Sequence, residues 1–309
     1  MGKYITRKIL GIIPIMLIVS IATFCFTSMA SGDPAQIILS ASGVKVTDEA
    51  LALKRAELGL DQPLYIQYLS WLNGILHFDL GTDYISGLPV ADDLIFRFLG
   101  SLRLALFSIV LLILMTVPLG VASAVHKGKG IDRVSQAVAF VSAACPAFCV
   151  GLLLIYIFGV KLGIVSVIET EHGLGILLPA VTIAFSHAGS YIRLVHTSMD
   201  EVLEKDYIKA ARAKGLTSGR VLFKHAFKNA MLPLVTKFGI TIGGFIGGST
   251  IVEIVFSYRG LGTYIMGAIS SQDYPVIAAY VIFMAAILAV LNLLVDIVYV
   301  ATDPRIKLA

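Results

Sequence analysis

The sequence has few charged residues. Only 14% of its 309 residues are Asp, Glu, Lys or Arg, whereas soluble proteins average about 25%. Hydrophobic residues make up 57% of the chain, and its mean hydropathy is +0.88. This composition excludes a soluble globular domain, a nucleic-acid-binding module and a disordered tail. Several apolar runs exceed the roughly 20 residues that a membrane-spanning helix needs, which predicts an integral membrane protein.

Cysteine and histidine are also scarce. The three cysteines, Cys25, Cys145 and Cys149, all lie in apolar stretches and therefore predict no disulfide framework. Cys145 and Cys149 are expected four residues apart on one helix face, where a buried thiol usually acts as a small hydrophobe. The six histidines are scattered without ligand spacing, so the sequence leaves any metal site undetermined.

Several catalytic motifs are missing. The chain has no Gly-x-x-x-x-Gly-Lys-Ser/Thr, His-Glu-x-x-His, Gly-x-Ser-x-Gly or Cys-x-x-Cys. We therefore expect a protein that is not an enzyme. A free-standing secondary transporter or channel is the rival class, but it would predict an inverted repeat, broken helices or a ring of intramembrane charge, and the sequence gives no sign of these.

The apolar runs predict an all-α polytopic protein with six transmembrane helices. The predicted spans are Ile9–Ala30, Leu102–Val125, Val134–Val160, Leu174–Val195, Leu232–Val255 and Val276–Ala301. The first span is preceded by Lys3, Arg7 and Lys8 and ends in Ser28-Met29-Ala30, so a cleavable signal peptide is the alternative reading. The apolar run is longer than the ~7–15 residues of a signal peptide, which favours an uncleaved helix.

Basic residues predict the orientation. Fifteen of the 24 Lys and Arg residues fall at the two termini, in the second loop and in the fourth loop, whereas six fall in the opposite loops and nine acids fall in the first outer loop. By the positive-inside rule, both termini are cytoplasmic in the inner membrane. The C-terminal members of the set are Arg305 and Lys307.

A long polar segment separates the first two spans, and it divides the chain into residues 1–100 and a five-helix core of 101–309. Within it, Leu64–Leu76 has helical spacing and carries Tyr65, Tyr68 and Trp71. Such a helix suits the membrane interface, where aromatic rings are enriched, and equally suits packing against the ends of the bundle.

Polar and small residues within the apolar runs suggest two functions. His187, Ser190 and Glu253 are candidates for a translocation path, because intramembrane ionisable groups are often functional. A hydrogen-bonded packing role is the alternative for His187, and structural pairing is favoured for Asp296. Gly243, Gly244, Gly247 and Gly248 form overlapping Gly-x-x-x-Gly patterns that predict close helix packing, within this chain or with another.

The basic loop at about 196–231 has a distinctive pattern. Asp206–Ala213 predicts a helix that Gly215 ends, and a second helix is expected over Val221–Met231. Ala210-Ala211-x-x-x-Gly215, followed by Asn229-Ala230-Met231-Leu232-Pro233, resembles the coupling loop of ATP-binding-cassette importer permeases of the peptide/nickel family. Further matching segments span the chain: Gly32-Asp33-Pro34, Leu58–Leu64, Asp79-Leu80-Gly81, Pro146-Ala147-Phe148, Gly260-Leu261-Gly262, Asp273-Tyr274-Pro275 and Asp303-Pro304-Arg305.

The resemblance implies a type I ABC importer fold and a set of partners. These are a second homologous permease, two ATP-binding subunits that carry ATP and Mg, an extracytoplasmic solute-binding protein and membrane lipid, with no cofactor or nucleic acid on this chain. It also implies that Tyr207, Ala210, Ala211 and Gly215 couple the chain to the ATPases. The small alanines would let the helix nest closely, and Gly215 would make a turn that a side chain obstructs.

The substrate is less defined. Leu76–Asp79 and Leu88–Asp93 look closer to nickel-type permeases, so nickel or a metal chelate is the expected cargo. An oligopeptide or dipeptide importer is the alternative.

Overall fold

The computed structural model describes residues 2–30, 32–164 and 173–302, and these residues are helical apart from turns and one isolated bridge between Thr82 and Pro89. The all-α prediction is confirmed. His172, Arg305 and Lys307 lie outside the described residues.

The helices run in chain order as follows. They are α1 (Gly2–Met29), α2 (Pro34–Ala41), α3 (Asp48–Glu57), α4 (Leu64–Leu76), α5 (Val90–Val125), α6 (Gly130–Ala144), α7 (Ala147–Leu154), α8 (Leu177–Leu203), α9 (Asp206–Ala213), α10 (Ser218–Arg220), α11 (Phe227–Ala230), α12 (Leu232–Gly248), α13 (Thr250–Val255), α14 (Leu261–Ser271) and α15 (Tyr274–Thr302). Wider π-type turns follow α7 (Ile155–Lys161) and α10 (Val221–Ala226).

The described residues form two compact units. One contains residues 2–99 and 260–293, and the other contains residues 100–259 and 294–302. The predicted division into residues 1–100 and 101–309 cuts the chain once along the sequence, whereas each of these units contains two separate segments. That division stays a prediction.

Among the residues that the structure describes, three helices are long and apolar enough to cross a membrane. They contain Thr6–Met29, Val90–Val125 and Tyr274–Ile297, and the number rises to five if each of two bent helix pairs is one span. The helix α8 is not among these candidates, because Ser186, His187, Ser190 and Arg193 lower its hydropathy. The count of six spans therefore stays a prediction.

The third predicted span is not one continuous helix. It breaks between α6 and α7, which meet at a 105° bend. Cys145 has extended backbone (φ −86°, ψ 123°), as expected of a residue that precedes a proline, here Pro146. The prediction that Cys145 and Cys149 share one helix face is wrong, because Cys145 follows α6 whereas Cys149 lies within α7.

The outer segment folds by local capping and by packing on α1. The side chain of Asp33 accepts a hydrogen bond from Ala35 N at the start of α2, and Thr47 does the same for Ala50 N in α3. In α4, Tyr68 Oη lies 2.9 Å from Ser20 Oγ of α1. The rings of Tyr68 and Trp71 both lie against Phe24. One face of α4 thus packs on α1, while Tyr65 is exposed.

Candidate functional site

The loop after α8 folds as the predicted helix–glycine–helix. α9 begins at Asp206. Its carboxylate interacts favourably with the positive end of the helix dipole and so stabilises the helix. Gly215 ends the turn at φ +79°, a left-handed conformation that glycine adopts at little cost. A Cβ added at Gly215 would meet no atom within 4 Å. A side chain would therefore strain this turn through the left-handed backbone of Gly215 itself, and not through a clash with a neighbouring atom.

A continuous hydrophobic cluster, here called the loop core, holds α9 against α8 and the returning helices. Its buried members are Ala124, Val195, Met199, Ile208, Ala211, Val221, Ala226, Ala230 and Leu234. Burying such side chains stabilises the loop by roughly 25 cal/mol per Å² of apolar surface. The loop is thus packed against α8 through a shared hydrophobic cluster.

The four predicted coupling residues lie on different sides of this loop. Tyr207 is 44% exposed, whereas Ala211 is 8% exposed and belongs to the loop core. Ala210 and Gly215 are exposed. Asn229 Nδ2 donates a hydrogen bond to Tyr207 Oη at 3.0 Å, so α9 and α11 are joined at the surface. Tyr207 and Ala210 thus lie on the exposed side of α9, while Ala211 lies in the loop core.

Polar and charged residues outside the predicted site connect α8 to α5, to α6 and to the loop between them. Lys127 Nζ lies 2.6 Å from Asp200 Oδ2. Ser123 Oγ donates to Asp132 Oδ1 at 2.6 Å and lies 2.8 Å from His196 Nδ1. Their spacing in sequence carries no motif, because each pair joins residues of different helices or loops.

Polar side chains lie in the middle of α8, and two of them are exposed. His187 and Arg193 are exposed, and Ser190 between them is half-buried. Lys237 of α12, which the sequence reading missed, donates from Nζ to Ser190 O at 3.1 Å. A polar exposed face on an apolar helix is poorly suited to lipid and suits a partner or an aqueous path.

Glu253 does not share this exposure. It is fully buried in α13, and its Oε1 accepts hydrogen bonds from Ser101 Oγ at 2.7 Å and Ser249 Oγ at 2.8 Å. Of the three candidate path residues, the structure brings His187 and Ser190 to the surface and places Glu253 inside.

The glycine-rich helix α12 has two kinds of glycine. A Cβ at Gly239 would meet Val295 at 2.8 Å, so this position packs closely within the chain, whereas one at Gly244 would meet nothing within 4 Å. Gly243 and Gly247 are half-buried. Gly248 is the last residue of α12. Across the described chain, no group of three or more His, Cys, Asp or Glu is placed to hold a metal ion.

Two family profiles match the sequence. Residues 116–308 match the family described as "Binding-protein-dependent transport system inner membrane component". Residues 1–87 match "Binding-prot-dependent transport system membrane comp, N-term". The first match alone includes α8, the whole loop after it and α12.

Relatives cover almost the entire chain. The glutathione transport system permease protein GsiC of Salmonella choleraesuis (strain SC-B67) is 36% identical over 307 residues, which are 99% of each chain. The protein of the same name from Escherichia coli (strain K12) has the same identity and coverage.

Solved structures share the fold. Two crystal forms of the MetNI methionine ABC transporter in inward-facing conformations match 68% of this chain and 96% of theirs. The TM-scores are 0.54 and 0.56, with 19% and 21% sequence identity.

Proposed function

This chain belongs to the family of binding-protein-dependent transport system inner membrane components, and we propose that its importer carries small peptides of the glutathione kind. As a family member, it is the membrane permease subunit of an ABC importer and not the catalytic subunit. The family binds no cofactor itself.

The observation that carries the substrate proposal is the end-to-end similarity to glutathione permeases, 36% identity over 99% of both chains. The nickel reading rested on Leu76–Asp79 and Leu88–Asp93. No relative named above supports it, so the peptide alternative is now the better one.

We further propose that α9 docks on an ATP-binding subunit through Tyr207 and Ala210. The support is their exposure on a short helix that the loop core ties to α8. ATP and Mg would be held by two partner ATPases, so that closure of those subunits pushes α9 and, through the rigid loop, α8. Gly215 would keep the turn in shape, and Ala211 would transmit the push into the loop core.

The remaining partners and the orientation are part of the same proposal. A second permease would complete the pathway, with Gly244 of α12 as a site of close helix approach. An extracytoplasmic binding protein would deliver the peptide. Both termini would be cytoplasmic in the inner membrane, since the basic loops would then face inside.

Uptake by a deletion strain tests the substrate. Accumulation of radiolabelled glutathione, a dipeptide and nickel would be measured separately in the wild type, the deletion strain and the complemented strain. We expect the deletion to abolish uptake of glutathione or the dipeptide and to leave nickel uptake unchanged. Loss of nickel uptake with both peptides unaffected would overturn the proposal.

A further inference from the structure

A cationic side chain lies at the contact between α8 and α12. Lys237 is half-buried in α12, which belongs to a candidate membrane span, and its Nζ lies on the carbonyl of Ser190 in α8. Arg193 is exposed on α8, three residues after Ser190, so the two are neighbours on the helix surface. An ammonium at membrane depth is costly and normally faces a water-filled path or an opposite charge.

The two groups that contact the Lys237 ammonium are neutral. Its Nζ donates to Ser190 O at 3.1 Å and lies 4.5 Å from the centre of the Tyr191 ring. Within the described part of the chain, no carboxylate lies within the 4.0 Å of an ion pair to this Nζ. A carbonyl dipole and a ring face reduce the cost of the charge without neutralising it.

The surrounding side chains fix the position of this ammonium. Tyr191 Oη donates to Thr241 Oγ1 of α12 at 2.7 Å, and the Tyr191 ring packs on Phe238 at 4.7 Å between centroids. One turn along α8, the exposed His187 ring lies 4.7 Å from the Phe245 ring. His187, Ser190 and Arg193 follow one another at three-residue spacing along α8, and Lys237 Nζ lies on the Ser190 carbonyl. These four residues are here called the polar face of the α8–α12 pair.

We propose that this polar face binds the C-terminal carboxylate of a peptide as the peptide crosses the permease. The inference rests on the proposed function and specifies the chemical class of its substrate, a peptide with a free C-terminal carboxylate. Residues 177–199 of α8 and 232–248 of α12 contain Arg193 and Lys237 but no acid, so this face has a positive potential that attracts an anion. An ammonium has three donors, and the chain uses one of them here. The same potential repels a bare divalent cation.

Reconstituted transport by the full complex tests the charge dependence. Uptake of glutathione would be compared with uptake of its C-terminal amide, which lacks the glycine carboxylate and keeps the carboxylate and ammonium of the γ-glutamyl residue. The comparison would use wild-type, Lys237→Gln and Lys237→Arg complexes with the same binding protein. We expect Lys237→Gln to slow glutathione uptake at least about tenfold more than uptake of the amide, an effect of about 1.4 kcal/mol. Lys237→Arg should preserve the preference for the free carboxylate.

Two further variants separate charge from structure. Lys45→Gln removes a cation from the exposed loop between α2 and α3 and should leave the ratio unchanged. Arg193→Gln removes the exposed cation of the polar face and should lower the ratio of glutathione to amide uptake, which keeps the test decisive if Lys237→Gln does not assemble. Equal loss for both substrates, or no loss in both Lys237→Gln and Arg193→Gln, would overturn the carboxylate site. A wild-type complex that takes up neither peptide would overturn the proposed function and this inference together.

Discussion

The carboxylate of Asp273 accepts a hydrogen bond from the backbone N–H of Tyr84 at 2.8 Å, across 189 residues of sequence. The same side chain accepts from Val276 N at 3.2 Å and so caps the first turn of α15. Asp273 is 2% exposed. Burial, with a smaller contribution from the charge of Asp83, raises its pKa to about 6.

This pKa predicts a pH dependence of stability. An unfolded Asp ionises near pH ~3.9, whereas folded Asp273 keeps its proton up to about pH 6. The unfolded state therefore loses a proton first, and the free energy of unfolding should fall as pH rises from about 4 to about 6 and then level off. Thermal unfolding of the detergent-solubilised protein at several pH values would measure this dependence. Asp273→Asn should remove the fall in the free energy of unfolding between about pH 4 and pH 6, whereas the exposed Asp61→Asn should keep it. The same fall in Asp273→Asn as in wild type would show that Asp273 is not its source.

A second prediction concerns the turn at Gly215. Gly215→Val places a β-branched residue at φ +79°, which costs of order 1–3 kcal/mol of local strain. The distorted turn should uncouple transport from ATP hydrolysis while the protein still inserts. Uptake and ATPase activity of the reconstituted complex would be compared.

The matched control for that turn is Gly219→Val. Gly219 lies four residues away in α10 and also has no atom within 4 Å of an added Cβ, but it has no left-handed backbone. A complex that carries Gly219→Val should transport at the wild-type rate. A wild-type rate of transport by Gly215→Val, or an equal loss of transport in both variants, would show that the conformation of this turn does not couple ATP hydrolysis to transport.

A third prediction concerns the contact of α6 with α8. A Cβ on Gly189 would overlap the backbone carbonyl of Ala139, and Gly189 N donates to Ser142 Oγ at 2.8 Å. Gly189→Ala should therefore force the helices apart and destabilise the protein by about 1–3 kcal/mol, as overpacking does. Gly11→Ala in α1, where a Cβ meets nothing within 4 Å, is the control and should not lower the melting temperature, because alanine favours a helix more than glycine does. A melting temperature of Gly189→Ala equal to that of wild type would refute the tight contact.

The fourth prediction is the orientation in the membrane. Single cysteines at Asp48 and Asp92 should react with an impermeant thiol reagent in intact cells, and those at Lys129 and Lys214 should react only after lysis. All four positions are exposed. The three native cysteines are exposed too, so the background needs all three replaced by alanine. Labelling of position 214 in intact cells would reverse the topology.

Much of the fold could be read along the chain, because its causes are local. The long apolar runs became α1, α5 and α15, since apolar length is what a spanning helix requires. Gly215 ended the loop turn because few other residues adopt its backbone conformation. Even the break that the sequence reading missed had a local cause, since Pro146 disfavours helix at Cys145.

The roles of polar side chains could not be read in this way. Glu253 and His187 look alike in sequence, each a single ionisable group in an apolar run. The structure buries Glu253 against Ser101, whereas it leaves His187 exposed. Ala210 and Ala211 are identical neighbours, yet only Ala211 enters the loop core.

The sequence by itself determined that the chain is a helical membrane permease of its family, because apolar length, charge bias and motif order are properties of the chain alone. Only the tertiary structure decided which polar groups meet. Lys237 and Ser190 are 47 residues apart and Tyr191 and Thr241 are 50 apart. Such contacts depend on which helix packs opposite and at what rotation. A helix presents a different residue every 100° or so, so small rotations of a packed pair decide whether a side chain faces its own core or the outside.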